Sequence, residues 1–176
     1  KMIAYLKAFG AKHNLETKVD EAGNVLIKKP ATPGKENLQT VVLQSHIDMV
    51  CEKNNDVQHD FLTDPIETEI DGEWLKAKGT TLGADNGIGV ATELAILADD
   101  SIEHGPLECL FTVDEETGLT GAFALKEGFM SGDILLNLDS EDEGEIFIGC
   151  AGGIDSVAEF TYKEVEVCLL YTSDAA

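Results

Sequence analysis

The chain has 176 residues, 43% of them hydrophobic, with 34 acidic against 12 basic side chains and a formal net charge of −22. That is enough chain for one domain with its own core. The charge excludes nucleic acid and anionic membrane as expected partners, because both are held by basic surfaces.

The first pattern is helical, "MIAYLKAFGAKHNL", already under way at Lys1 with no capping residue before it. "ETKVDEAGNVLIKK" then alternates about Ala22, Gly23 and Asn24, as a β-hairpin does. "TVVLQSH" is a short apolar run with the character of a strand buried on both faces. After a polar loop, "IETEIDGEWLKAKG" predicts a second hairpin turning at Asp71 and Gly72. "NGIGVATELAILADD" has helical apolar spacing.

"PLECLFTV" and "DILLNL" are further apolar runs of strand length, joined through a short helix in "GLTGAFALKEG" that Gly128 closes. "TYKEVEV" reads as a last strand, and "CLLYTSDAA", 168–176, reads as a non-native tail set aside from fold reasoning. Strands alternating with helices predict an α/β fold with a mixed, largely parallel central sheet flanked by helices. Trp74 and Phe61 are expected to pack in the core or on a hairpin.

Four cysteines, Cys51, Cys109, Cys150 and Cys168, form no C-x-x-C pair, which favours a reducing compartment and a cytoplasmic location. Cys51 has no histidine motif beside it and is expected to be a buried structural thiol. There is no basic leader with an apolar core, and no run reaches the roughly 18 apolar residues of a membrane span.

Polar groups gather where the apolar runs stop. "TVVLQ" ends at "SHID", "LECLFTV" at "DEE", and "DILLNL" at "DSED". Ligands of open α/β sheets bind outside the carboxyl ends of the strands, so these clusters can share one crevice. His46 and Asp48, two apart on an extended segment, suit a metal ligand and its supporting carboxylate, or else an ordinary surface hydrogen bond. Asp85 in "GADNG" suits a ligand on a glycine-loosened backbone, or a helix N-cap. Within "DEE" one carboxylate can hold a cation while its neighbour moves a proton, unless the three form a solvated turn. "DSEDEGEIFIGC" imitates a calcium loop through Asp139, Glu141, Glu143 and Gly144, but its twelfth position is Cys150 and strands flank it, which rules that reading out.

Taken together and in order, "LQSHIDMV", "GTTLGADNGIGVA", "FTVDEETGLTGA" and "LLNLDSEDEGEIFIGCAGG" closely resemble the metallopeptidase M20 family, in its aminoacyl-histidine dipeptidase subgroup. The resemblance covers nearly all of 1–167. It implies a zinc-peptidase-like catalytic domain, here incomplete, in which His46 and Asp139 bind one metal, Glu116 binds the second and Asp85 bridges both. Asp48 is implied to orient the site and Glu115 to act as general base. A non-proline cis peptide after Asp85 is implied as well. The implied chemistry is hydrolysis of dipeptides, Xaa-His among them, with two divalent ions, Zn²⁺ before Mn²⁺ or Co²⁺.

The same resemblance divides the chain into an N-terminal part of the catalytic domain, 1–152, and the start of a lid and dimerisation domain, 153–167. It calls for a further histidine ligand late in a much longer chain, and His13, His59 and His104 occupy no such motif. The expectation is therefore an N-terminal fragment of a homodimeric dipeptidase, binding one metal better than two and turning over poorly. The alternatives are another M20 hydrolase, a deacylase or carboxypeptidase, and a non-catalytic acidic metal-binding domain.

Overall fold

The computed structural model describes residues 1–140, 142, 144–154 and 156–163. It divides into two units, Lys1–Glu143 and Gly144–Ala176. In the second unit the described residues carry no helix or strand. The strand expected over 161–167 is absent at 161–163, and the rest of it, with Cys168 and the 168–176 tail, lies outside the described residues.

The first unit starts with helix α1, Met2–Lys12, whose Leu6 and Gly10 are buried. The hairpin follows as β1, Glu16–Val19, and β2, Val25–Lys29. Next come β3, Val41–His46, a separate hairpin of β4, Thr68–Asp71, with β5, Trp74–Ala77, and helix α2, Ala84–Ala98. Strand β6, Leu107–Thr112, helix α3, Thr120–Ala124, and strand β7, Ile134–Asn137, complete it.

Five strands form one sheet in the order β1-β2-β6-β3-β7. β1, β2 and β6 pair antiparallel, whereas β3 pairs parallel with both β6 and β7. The sheet is thus mixed, with a parallel trio centred on β3. The apolar side chains sort by the two-residue period of a strand. Val25, Ile27, Leu43, Cys109 and Phe111 face α1 and α2 with Leu6, Val90 and Leu97, while Leu26, Val42 and Leu110 meet Leu125, Phe129 and Met130 on the other face. Every residue of β6 is buried, as its continuous apolar run predicts.

Edges and hairpins depart from expectation. Ile134, Leu135 and Leu136 of β7, an apolar run of strand length, are 39–48% exposed, because among the described residues β7 has a neighbouring strand on one side only. Trp74 is 72% exposed on the isolated β4–β5 hairpin and packs in no core. Cys51 is exposed, not buried. Among the described residues β7 pairs with β3 alone and β5 with β4 alone, which leaves the β7 side chains and Trp74 exposed.

The placement of α2 matters most for the site. Its C-terminal end is held by Lys29, 8% exposed, whose Nζ donates to the carbonyls of Ile96 (3.1 Å) and Asp99 (2.7 Å), a cation at the negative end of the helix. Near its N-terminal end, Gly89 lets the helix press against β3: a Cβ there would meet Asn86 Oδ1 at 1.9 Å and Ser45 Cβ at 2.9 Å. Gly89→Ala should therefore push the first turn of α2 off the sheet, costing roughly 1–3 kcal/mol as overpacking does. Denaturant unfolding of the variant should show that loss, and unchanged stability would contradict this contact.

On the same helix, Glu93 is fully buried against the sheet, and neither its carboxyl oxygens nor the neighbouring Ser45 Oγ closes a hydrogen bond of normal geometry. Burial pushes the Glu93 carboxyl up from 4.5 to about 8, with Ser45 and Cys109 opposing the shift weakly. The folded protein therefore holds a proton there that the unfolded chain releases near pH 4.5. This stabilising contribution is complete below pH 4.5 and is lost as pH rises to about 8. The loss amounts to a few kcal/mol at about 1.4 kcal/mol per pH unit. Unfolding free energies at pH 5 and pH 9 should fall more for the native chain than for Glu93→Gln. Equal falls would show that Glu93 does not hold this proton.

Candidate metal centre

The parallel trio delivers its polar groups to one end of the sheet. His46 is the last residue of β3, in register with Thr112 at the end of β6. Asp139 follows β7 by two residues, and Glu115 and Glu116 follow β6. β3 feeds α2 and then β6 on one side, while β6 returns past β3 to β7 on the other. The crevice therefore lies where the strand order reverses.

His46 is 1% exposed. Its Nδ1 lies 3.1 Å from the Asp48 carbonyl oxygen, and because a carbonyl only accepts, Nδ1 carries a hydrogen. That fixes the ring and turns Nε2 towards Asp85 Oδ1 at 2.9 Å and Asp139 Oδ1 at 3.6 Å. Burial pushes the imidazole down, but the Asp85 hydrogen bond and the charges of Asp139, Asp48 and Asp85 outweigh it, so its pKa stands above the ordinary value.

Asp85 is the second residue of α2, at a position whose backbone is not helical, and the Asp85–Asn86 peptide is cis. Asn86 is buried and its Nδ2 donates to the Leu138 carbonyl (2.9 Å) and to Asp139 Oδ1 (2.5 Å). One amide thus ties α2 to the segment after β7 and aims Asp139 at His46. Burial raises the Asp139 pKa, Asp85 adds to the rise, and the Asn86 hydrogen bond and His46 oppose it.

The carboxylate of Asp48 does a different job from its carbonyl. Its two oxygens accept the backbone N–H groups of Glu115 (3.1 Å) and Glu116 (3.2 Å), which pins the acidic turn beside His46. Asp114 lies outside that clamp. Its carboxylate accepts the hydroxyls of Thr117 and Thr120, which together hold its pKa below the usual carboxylate range. Glu115 is pushed up by burial, with Asp139, Glu116 and Asp48 adding and His46 opposing.

Ligand atoms of His46, Glu115 and Glu116 lie within 4.8 Å of one another, and so do those of His46, Asp85 and Asp139. The four separated stretches singled out in the sequence therefore converge on one imidazole. The donor set fits a divalent cation: one ring nitrogen whose tautomer is fixed, surrounded by carboxylate oxygens that repel each other without a positive charge between them. No other described histidine belongs to either group. Glu141 and Glu143 of the calcium-loop look-alike lie outside the described residues.

Sequence reading missed Asn86, Asn24 and Glu93. The place of Asn86 directly after a candidate ligand is the one signal the sequence offers for it. The Asn24 amide bonds to residues 89 and 97 positions away, which no local pattern announces. Glu93 reads as one more acid on an acidic helix.

Comparison with known proteins agrees with this geometry. Residues 42–166 match the family model described as peptidase family M20/M25/M40. The chain is 58% identical over 151 residues to the cytosol non-specific dipeptidase of Escherichia coli, covering 86% of this chain and 31% of that protein. Among solved structures it resembles aminoacylhistidine dipeptidase from Vibrio alginolyticus, with a TM-score of 0.79 and 59% identity over 81% of this chain and 29% of the other. It also resembles aminopeptidase PepT from Bacillus cereus, with a TM-score of 0.67 and 26% identity over 81% of this chain and 38% of the other. The chain thus spans about a third of the length of the relatives it matches. With more than half of its residues matched and the acidic clusters gathered at the strand ends, the chain belongs to peptidase family M20/M25/M40.

Proposed function

We propose that these residues form the metal-binding and proton-transferring part of a dipeptidase, and that the protein containing them hydrolyses dipeptides, Xaa-His among them. The observation that carries the reading is His46, its Nδ1–H locked on the Asp48 carbonyl and its Nε2 facing Asp85 and Asp139. In this reading His46 and Asp139 would hold one divalent ion and Glu116 a second, with Asp85 available to both, and Zn²⁺ would suit the mixed nitrogen and oxygen donors. When bound, such ions polarise the scissile carbonyl and acidify the attacking water.

The remaining steps belong to side chains of this chain. Glu115 takes the proton from the attacking water and returns it to the leaving amine, so that a neutral amine departs. Asp48 keeps Glu115 and Glu116 in place through their backbone N–H groups, so that base and ligand cannot exchange positions. The relatives named as dipeptidases support the substrate class, and the name of the Escherichia coli protein supports a cytosolic location. No helix among the described residues is long and apolar enough to cross a membrane. The reading takes the longer protein as a homodimer and 153–167 as the start of its lid.

In the full-length protein, Glu115→Gln should lower kcat by about 10²–10⁴-fold, the usual contribution of a positioned base. Metal content, measured by atomic absorption after dialysis, should stay at the native level. Loss of metal from this variant would mean that base and ligand are assigned the wrong way round.

Calorimetric titration of the 176-residue chain with Zn²⁺ should give one tight site and a weaker second, because His46 is the single imidazole in the cluster. Two equally tight sites would contradict the ligand assignment.

A further inference from the structure

The loop carrying Glu115 and Glu116 leaves β6 at Val113 and runs into α3, whose second residue is Gly121. Its two ends are bonded to each other, Gly121 N donating to Val113 O at 3.2 Å. Both ends are also bonded to one side chain from the β1–β2 hairpin. Asn24 Oδ1 accepts the Val113 N–H at 3.1 Å, and Asn24 Nδ2 donates to the Gly121 carbonyl at 2.8 Å. Asn24 is fully buried, and its second Nδ2 hydrogen goes to Asp20 Oδ2 at 2.7 Å, so the amide is fully used. Asp20 in turn accepts the backbone N–H groups of Gly23 and Asn24, each at 2.9 Å, which leaves the amide one orientation.

The closure admits no side chain at Gly121, where a Cβ would meet Val113 O at 2.2 Å and Asn24 Oδ1 at 2.7 Å. Asn24 hydrogen-bonds neither Glu115 nor Glu116; it directly precedes Val25, which pairs with Phe111, so the β2–β6 ladder brings its side chain to the point where the loop leaves β6.

We propose that Asn24 is a positioning residue for the Glu115 and Glu116 pair. It fixes the base of their loop while Asp48 fixes its tip, so that the proton-accepting carboxylate is held against the reacting water. The proposal rests on the reading of Glu115 as general base. An amide satisfies this geometry where a carboxylate cannot, since one group must both accept from Val113 and donate to Gly121.

The test is a double-mutant cycle on the full-length, metal-loaded protein. Asn24→Ala should lower kcat for a dipeptide by about 10–100-fold, as loss of supporting contacts or a misplaced group does, with KM changed by less than about threefold. In a Glu115→Gln background the same substitution should cost less than about threefold, because there is no longer a base to misplace. Leu6→Ala, a core truncation in α1 that lowers the melting temperature, should leave kcat per folded molecule at the native value.

Asn24→Asp keeps the acceptor for Val113 and loses the donor to Gly121. It should also lower kcat, and it serves where the alanine variant does not fold. Native kcat in both Asn24 variants would overturn the proposal, and so would equal losses in both backgrounds or a loss matched by Leu6→Ala. A native rate in Glu115→Gln alone would overturn the general-base reading instead.

Discussion

One hydrogen bond organises the site. The Asp48 carbonyl takes the Nδ1–H of His46, and everything nearby depends on the ring orientation that results. Because His46 ends a strand buried on both faces, the ring has no freedom to turn towards solvent. Its Nε2 is then the one nitrogen presented to a crevice otherwise walled by carboxylates. Such a wall is unfavourable by itself, since each charge raises the pKa of the next, and burial adds to the effect at Glu115 and Asp139. A divalent cation placed among these oxygens would relieve the repulsion.

The scaffold holds these mutually repelling groups through neutral donors. Asn86 holds Asp139, the backbone of Glu115 and Glu116 holds Asp48, and threonine hydroxyls hold Asp114. Asn86 occupies one oxygen of Asp139 and leaves the other for a cation or a proton, whereas both oxygens of Asp48 and of Asp114 are taken, which suits those two to holding the loop. The far end of the sheet shows the contrasting solution. Buried Glu108 there is paired with Lys28 at 2.5 Å and accepts from Ser131 and Gly132, so that its carboxylate is fully used in joining β6 to the start of β7. A buried acid saturated by partners is structural, whereas one left with unused oxygens is available for chemistry.

Much of this was legible in the sequence because it is local. The apolar runs of β3 and β6 mark buried strands, and the polar residues that end them are at strand ends by construction, which placed His46, Asp48, Glu115, Glu116 and Asp139 together. The roles within "DEE" and the cis peptide after Asp85 were not local information and came from resemblance to a family. What could not be read depends on what faces a residue across the fold. Leu135 and Leu136 look like core residues, yet among the described residues β7 has no strand beyond it. Trp74 looks like a packing residue, yet its hairpin stands apart. Asn24 looks like a turn former and Glu93 like a solvated acid, and only tertiary contact shows the first as a clamp and the second as a buried proton carrier.

The account stands on a single imidazole nitrogen serving as the anchor of a cation site built from several acidic loops. Anomalous diffraction at the zinc absorption edge, from crystals of the full-length protein grown with Zn²⁺, measures this directly. The predicted result is an anomalous peak within bonding distance of His46 Nε2 and an Asp139 carboxylate oxygen. A peak seated on other histidines, or no peak at His46 in crystals that bind zinc elsewhere, would contradict it.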